Sequence, residues 1–388
     1  MNKKRIAIFG VKYFPSRGGT SRVVENLLQA LHEEYDFTIY CYKHPAAEGY
    51  IPNVKTVQFK ESPVKGLGVF SYYFNCCKHL LQRQDEYDLV HLHKMDAAFF
   101  LPLLCRKFKV IATCHALPYL NEKWSWFGKT YFRLAEYLLL RSSAFVTAIA
   151  QPQVDYFRRQ YLREVHFIPN GIQPLHRILP EQADDILFPR QIADGYLLFA
   201  ARRVIPLKGC HTLLKALRRM DFQGTLVIAG ELDQLPSYTE ELRELAKGLD
   251  VHFVGYVAGM DKLNALLSRA KLFVFPSEIE GMSMMLLEAG CVGTPMLCSD
   301  IPQNKAVLQE EEVLYFQSTN VKDLEDKLRW ALTHPADMQK RADRTRKKIA
   351  KDYLMSKVVR EYTALYDHLI EKIASALPQS SDSPLKLQ

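Results

Sequence analysis

The sequence predicts an α/β protein built from two doubly wound, Rossmann-like domains facing across a cleft. Three observations carry that expectation. Short runs rich in β-branched and aromatic residues alternate with longer helical patterns along the whole chain. The cadence breaks once, in the Pro- and Asp-rich stretch 169–195, and then restarts. At 388 residues, with 48% hydrophobic and 24% charged content, the chain is too long for one ordinary core and suits two of under about 200 residues each.

In chain order, RIAIFG, FTIYCY, DLVHLH, KVIATCH, AFVTAIA and VHFIPN read as buried parallel strands of a first domain, residues 1–170. An interdomain linker is expected at 171–195. YLLFAAR, TLVIAG, VHFVGY, LFVFPS, TPMLCS and EVLYF then form the second domain, 196–350, and a site at the carboxyl ends of both sets of strands would lie in the cleft between the domains. A charged helix at 351–374 is expected to pack back toward the first domain, and the polar tail 375–388 to be disordered.

Composition excludes several classes. The basic start MNKKRIAIFG has too short an apolar run for a leader and reads as a first strand. No segment approaches the ~20 apolar residues of a membrane span. The eight cysteines are scattered without a C-x-x-C pair, which fits a reducing cytoplasm and no structural zinc. A formal charge of +8 admits nucleic acid, an anionic membrane surface or a phosphorylated small molecule. Nucleic acid is disfavoured, because the cations are dispersed and no binding module is present.

The densest chemical signal is FPSEIEGMSMMLLEAGCVGTP, residues 275–295. It reads as a strand, an exit loop, a helix and the turn into the next strand. Free amides of Ser283, Met284, Met285 and Leu286 at the helix start offer a phosphate site. Glu280 and Glu288 stand eight residues apart, about 12 Å if the segment were all helix, which is wider than the ~5–9.5 Å of a glycosidase pair. Two acids so spaced suit the ends of one extended ligand. An amphipathic surface helix would place them as well. In FAARRVIPLKG, Arg203 and Lys208 could reach an anion on that helix end, Arg203 by a bidentate fork and Lys208 as a point charge. Arg202 competes for the inward position.

In the first domain, Gly18 and Gly19 of FPSRGGTSR permit a close backbone approach by ligand, or form an ordinary turn. The stretch lacks G-x-G-x-x-G and no acid ends the second strand, which argues against a nicotinamide cofactor. His115 stands at a strand end, where a lone histidine is structural as often as functional. His91 and His93 share one face of a strand with no carboxylate nearby, and they read as structural.

The order R-x4-K-G, VIAG, VHFVGY, PSEIEG-x6-LEAGCVGTP and SDIPQNKAV, with FPSRGGTSRVVENL, DLVHLH and FIPNGI upstream, resembles glycosyltransferase family 4, retaining enzymes of the GT-B fold. The stretch EKWSWFGKTYFRLAEYLL is similar to one in transferases of surface-polysaccharide assembly, including rhamnosyltransferase-like members. The resemblance implies that Glu288 binds the ribose of a nucleoside-diphosphate sugar and Glu280 the transferred sugar. Arg203 and Lys208 would neutralise the diphosphate and His115 would lie beside the donor sugar. Ser283, Met284, Met285, Leu286, Gly18, Gly19 and Gly230 would line the donor site. Two departures bear on donor identity: MSMM replaces a small, Gly-rich run after Glu280, and Gln173 stands where an acid is customary.

The expected activity is sugar transfer to a hydroxyl of a glycan or polyprenyl-linked glycan in cell-surface polysaccharide biosynthesis. With no Asp-x-Asp motif, the enzyme is expected to need neither metal nor cofactor. The rivals are a GT-B nucleotide-sugar epimerase, a glycogen-synthase-like glucosyltransferase, and a silent nucleotide- or glycan-binding protein. The aromatic and basic stretch KWSWFGKTYFRLAEYLLL reads either as core packing or as peripheral contact with the inner face of the plasma membrane.

Overall fold

The structure, a computed structural model, describes residues 3–16, 19–62, 67–120, 124–175, 177–233 and 235–374. The expected tail 375–388 lies outside the described residues, as does Gly18.

The apolar runs form two parallel sheets. The first holds β1 (Lys4–Phe9), β2 (Tyr35–Tyr42), β3 (Val54–Phe59), β4 (Leu89–His93), β5 (Val110–Cys114), β6 (Phe145–Ala148) and β7 (His166–Phe167), in the order β3-β2-β1-β4-β5-β6-β7. The second holds β8 (Leu197–Arg203), β9 (Thr225–Glu231), β10 (Asp250–Gly255), β11 (Leu272–Phe275), β12 (Met296–Ser299) and β13 (Leu314–Phe316), in the order β10-β9-β8-β11-β12-β13. Each order reverses direction beside its first strand, between β1 and β4 and again between β8 and β11. The crevice at such a switch point is where doubly wound sheets bind ligands.

The helices packed on these sheets include α1 (Gly19–Leu31), α2 (Leu67–Gln82), α3 (Trp126–Arg141), α4 (Met284–Val292) and α5 (Met355–Ala374). In α1 the spacing of Ser21, Val24, Leu27, Leu28 and Leu31 makes one buried stripe. That stripe packs with Met355, Val358, Tyr362 and Tyr366 of α5 on one face of the first sheet. The last helix therefore completes the core of the first domain.

The segment 171–195 differs from a free linker. Three short helical turns, Pro180–Ala183, Asp184–Leu187 and Phe188–Arg190, dock on the second domain, with Ala183 and Leu187 fully buried in its core. Ala183, Ile186 and Leu187 are what pull it in, and Arg269 secures it through Asp184 at 2.6 Å and Asp194 at 2.5 Å.

Candidate active site

The chemistry-bearing residues gather where the carboxyl ends of the two sheets meet. From the second domain, β11 runs through Phe275 into the loop 276–283, and Ser283 precedes α4 with no side-chain cap. The first bond of that helix runs from the Leu287 amide to the Ser283 carbonyl, 3.4 Å. The amides of Met284, Met285 and Leu286 have no helical acceptor, and the positive end of the helix dipole lies with them.

Asn170 and Asn304 hold this loop from outside. Asn170, in the PNGI crossing between domains, donates through Nδ2 to the Met282 carbonyl at 3.1 Å. Asn304 of SDIPQN donates to the Ser299 carbonyl at 3.0 Å, and the Ser299 hydroxyl donates to the Ser277 carbonyl. Gly281 is required by crowding: a Cβ there would sit 2.2 Å from the backbone oxygen of His115. That contact sets the Glu280 loop directly against the end of β5.

Two ion pairs join the predicted acids to cations. Lys208 Nζ lies 2.6 Å from Glu280 Oε1, and both belong to the second domain. Glu288, only 1% exposed, meets Arg22 of α1 at 2.7 Å across the domain junction. The Arg22–Glu288 pair has ion-pair distance without hydrogen-bond alignment, so neither Glu288 oxygen has a hydrogen-bond partner. Burial pushes the Glu288 carboxyl above its ordinary value, and the Arg22 charge pulls it part of the way back.

Arg203, in contrast, is exposed at the end of β8 and makes no ion pair or hydrogen bond among the described residues. Arg202 turns to Glu231 at 3.9 Å, so the two arginines are divided between a structural contact and a free cation. Gly230 is explained by packing, since a Cβ there would meet the Ala201 carbonyl at 2.1 Å. Gly19 is the first residue of α1, and a Cβ would meet nothing within 4 Å.

His115 follows β5 and is almost wholly buried. Its Nε2 lies 3.0 Å from Nδ1 of His93, at the end of β4. Burial, with Lys94 nearby, pushes the His115 ring down to about 3, so it is neutral. Arg22, Asn170, Gly281 and His93 are contributors that motif reading did not assign. Arg22 carries a weak sequence signal, a lone cation on the first turn after the glycine pair. Asn170 and Gly281 become visible only once the two domains are in contact, and His93 only once β4 and β5 lie side by side.

No group of three or more His, Cys, Asp or Glu with metal-site geometry occurs among the described residues. All eight cysteines are unpaired. No described helix is long and apolar enough to cross a membrane.

Comparison with known proteins agrees with the two-domain fold. Residues 17–174 match the family model described as Glycosyltransferase Family 4, and residues 184–351 match Glycosyl transferases group 1. EpsF of Bacillus subtilis, assigned by name to the glycosyltransferases, is 25% identical over 317 residues, covering 77% of this chain and 80% of the relative. The fold superposes on sucrose-phosphate synthase of Thermosynechococcus elongatus with a TM-score of 0.80 at 19% identity, over 95% of this chain and 100% of that one. Anabaena Alr3699/HepE, solved with UDP and glucose, gives a TM-score of 0.78 at 17% identity, over 96% of this chain and 100% of that one.

Proposed function

The chain belongs to the glycosyltransferases of family 4 and has their GT-B fold, and from that premise we propose that it is a retaining enzyme. The reaction moves a sugar from a nucleoside diphosphate to a hydroxyl of a glycan or lipid-linked glycan in cell-surface polysaccharide assembly. Glu288 carries the reading: it is a buried carboxylate whose one polar neighbour is the ion-paired Arg22 on Oε1, with no aligned hydrogen bond to either oxygen, one turn inside a helix whose first amides are also free. Buried polar groups are ordinarily satisfied, and a pair of ribose hydroxyls would donate to both oxygens.

The Lys208–Glu280 pair then marks the reacting bond. An ammonium has three donors, so Lys208 can keep Glu280 and still bind a phosphate oxygen. Phosphate on one member and sugar hydroxyls on the other put the sugar–phosphate linkage between them. Arg203 and the α4 amides add positive potential as charge develops on the leaving diphosphate. In a front-face substitution the departing phosphate takes the acceptor proton, and the protein supplies position and charge rather than a strong nucleophile. The complex of Alr3699/HepE with UDP and glucose supports a nucleotide-linked donor.

The outer face of α3 supports a lipid-linked acceptor at an anionic membrane surface. Trp126 is 71% and Phe127 78% exposed, and Arg133, Leu134, Tyr137 and Arg141 continue the same face. Phe70 and Phe74 of α2 are exposed as well, and Phe70 leans on Phe99, which stacks on Tyr131 of α3 at 4.6 Å. The inner face, with Phe132, Ala135, Leu139 and Leu140, takes the core role. A thermal-shift screen of UDP-, GDP- and dTDP-sugars, followed by transfer assays on a polyprenyl-linked glycan, tests the proposal. Failure of every nucleotide sugar to bind or to be turned over would overturn it.

A further inference from the structure

Three buried histidines run inward from the candidate active site. His91 and His93 project from the same face of β4, with ring centroids 3.9 Å apart. His91 bonds at Nε2 to Thr113 Oγ1, 2.7 Å, and at Nδ1 to the Tyr366 hydroxyl of α5, 2.8 Å. Both ring nitrogens of His91 are thereby used. Its orientation is fixed by β5 on one side and by the last helix on the other.

His93 has one partnered nitrogen. Nδ1 faces His115 Nε2 at 3.0 Å, while Nε2 is buried with no partner. Both rings are neutral, because burial and the neighbouring rings disfavour a second proton. A neutral imidazole has one donor and one acceptor, so only two arrangements exist for the contact. If His115 donated, His93 would hold its proton on Nε2, leaving a buried N–H with nothing to bond. Orphaned buried N–H groups are rarer than unsatisfied acceptors. With His93 donating, the orphan is a lone pair instead.

We propose that His93 is a positioning residue that donates its Nδ1–H to His115 and so fixes His115 with its own proton on Nδ1, making it a hydrogen-bond donor to the substrate and not a base. His115 Nδ1 makes no hydrogen bond among the described residues. The backbone of His115 lies against Gly281, next to Glu280, which sets the residue beside the sugar end of the proposed donor site. The inference rests on the glycosyl-transfer reading for the identity of the substrate, and on the histidine geometry alone for the tautomer.

Long-range ¹⁵N–¹H correlation on histidine-labelled full-length protein reads that tautomer directly, without substrate. The expected result is His115 protonated at Nδ1 in the wild type and at Nε2, or as a mixture, in His93→Phe. Transfer turnover in His93→Phe should fall about ten- to a hundredfold at unchanged nucleotide affinity, as for lost positioning. His93→Asn, which keeps a donor near the Nδ1 position, should recover part of that loss and serves if the phenylalanine variant does not fold. An Nε2-protonated His115 in the wild type, or a His115 still protonated only at Nδ1 in His93→Phe, overturns the inference. A wild-type protein with the expected tautomer and no activity on any nucleotide sugar sinks the transfer reading instead.

Discussion

Arg22 and Glu288 lie 2.7 Å apart although they belong to different domains, and they are the one described ion pair linking α1 to α4. The contact puts a cation from the first domain on the acid proposed to hold the ribose. A ligand reaching Glu288 has to displace or share Arg22.

Removing one member of this pair leaves a buried charge unbalanced. Arg22→Leu should cost about 1–3 kcal/mol in urea denaturation, below the value for a fully buried pair because Arg22 is partly exposed. Combining it with Glu288→Gln should cost less than the sum of the single changes. The pH sign follows from the raised Glu288 carboxyl: its favourable contribution is complete below the unfolded carboxylate value and is lost as pH rises through the folded one. The penalty of Arg22→Leu should therefore grow from acid toward neutral pH. Strict additivity of the two substitutions at pH 7 would show the contact to be energetically idle.

The two glutamates should fail differently. Glu288→Gln should weaken binding of bare nucleoside diphosphate and intact donor alike, whereas Glu280→Gln should spare the nucleotide and lower kcat. Calorimetric titration of nucleotide into both variants decides. The reverse pattern would turn the ligand end for end along α4.

Lys208→Ala removes the cation beside Glu280 and should lower kcat/KM by about two orders of magnitude or more, with Arg203→Ala acting in the same direction. Activity is expected to survive exhaustive EDTA treatment. Near wild-type transfer by Lys208→Ala contradicts the phosphate assignment, and a requirement for added Mn²⁺ contradicts the metal-free one.

Acid should destabilise the fold through its histidines. Burial pushes His91 and His115 down to about 3 and His93 well below its usual range. In the unfolded chain they take up protons near pH 6.5. For a group with a depressed folded value, stability is complete above the unfolded value and is lost as pH falls from it toward about 3. Each such histidine removes up to about 1.4 kcal/mol per pH unit, or roughly 2 kcal/mol by pH 5. Urea midpoints measured between pH 7.5 and 5 should fall, and His91→Gln should flatten the slope. An unchanged midpoint across that window would mean that the rings are solvated.

Partition onto anionic vesicles should exceed that onto neutral ones and weaken with salt. Replacing Trp126 and Phe127 with Ser should reduce binding to both, since apolar insertion is lost. Equal binding to both vesicle types at every salt concentration removes the electrostatic part of the argument.

Most strands were legible because parallel strands buried on both faces read as unbroken apolar runs. β3 was not: VKTVQF mixes Lys, Thr and Gln with its apolar residues because it is an edge strand, with only Val54 buried. The ILF of 186–188 was hidden by surrounding Pro and Asp, although its Leu187 and the nearby Ala183 are core residues. At the site, Glu280, Glu288 and Lys208 were legible from local spacing. Arg22 and His93 were not, because their partners lie 266 and 22 residues away and only tertiary packing brings them together. The exposed aromatics of α3 were ambiguous for a related reason: the same residue types serve a core or a membrane, and only the direction of the helix face separates them.

The chain crosses between its halves twice, and both crossings pass through one point. The Ile172 amide donates to the Tyr353 carbonyl and the Met355 amide to the Ile172 carbonyl, each at 2.8 Å. Two crossings paired side by side leave the halves one shared line to turn about. A turn about that line would part Arg22 from Glu288 and Gly281 from His115 together, so that both ends of the proposed donor site would open as one.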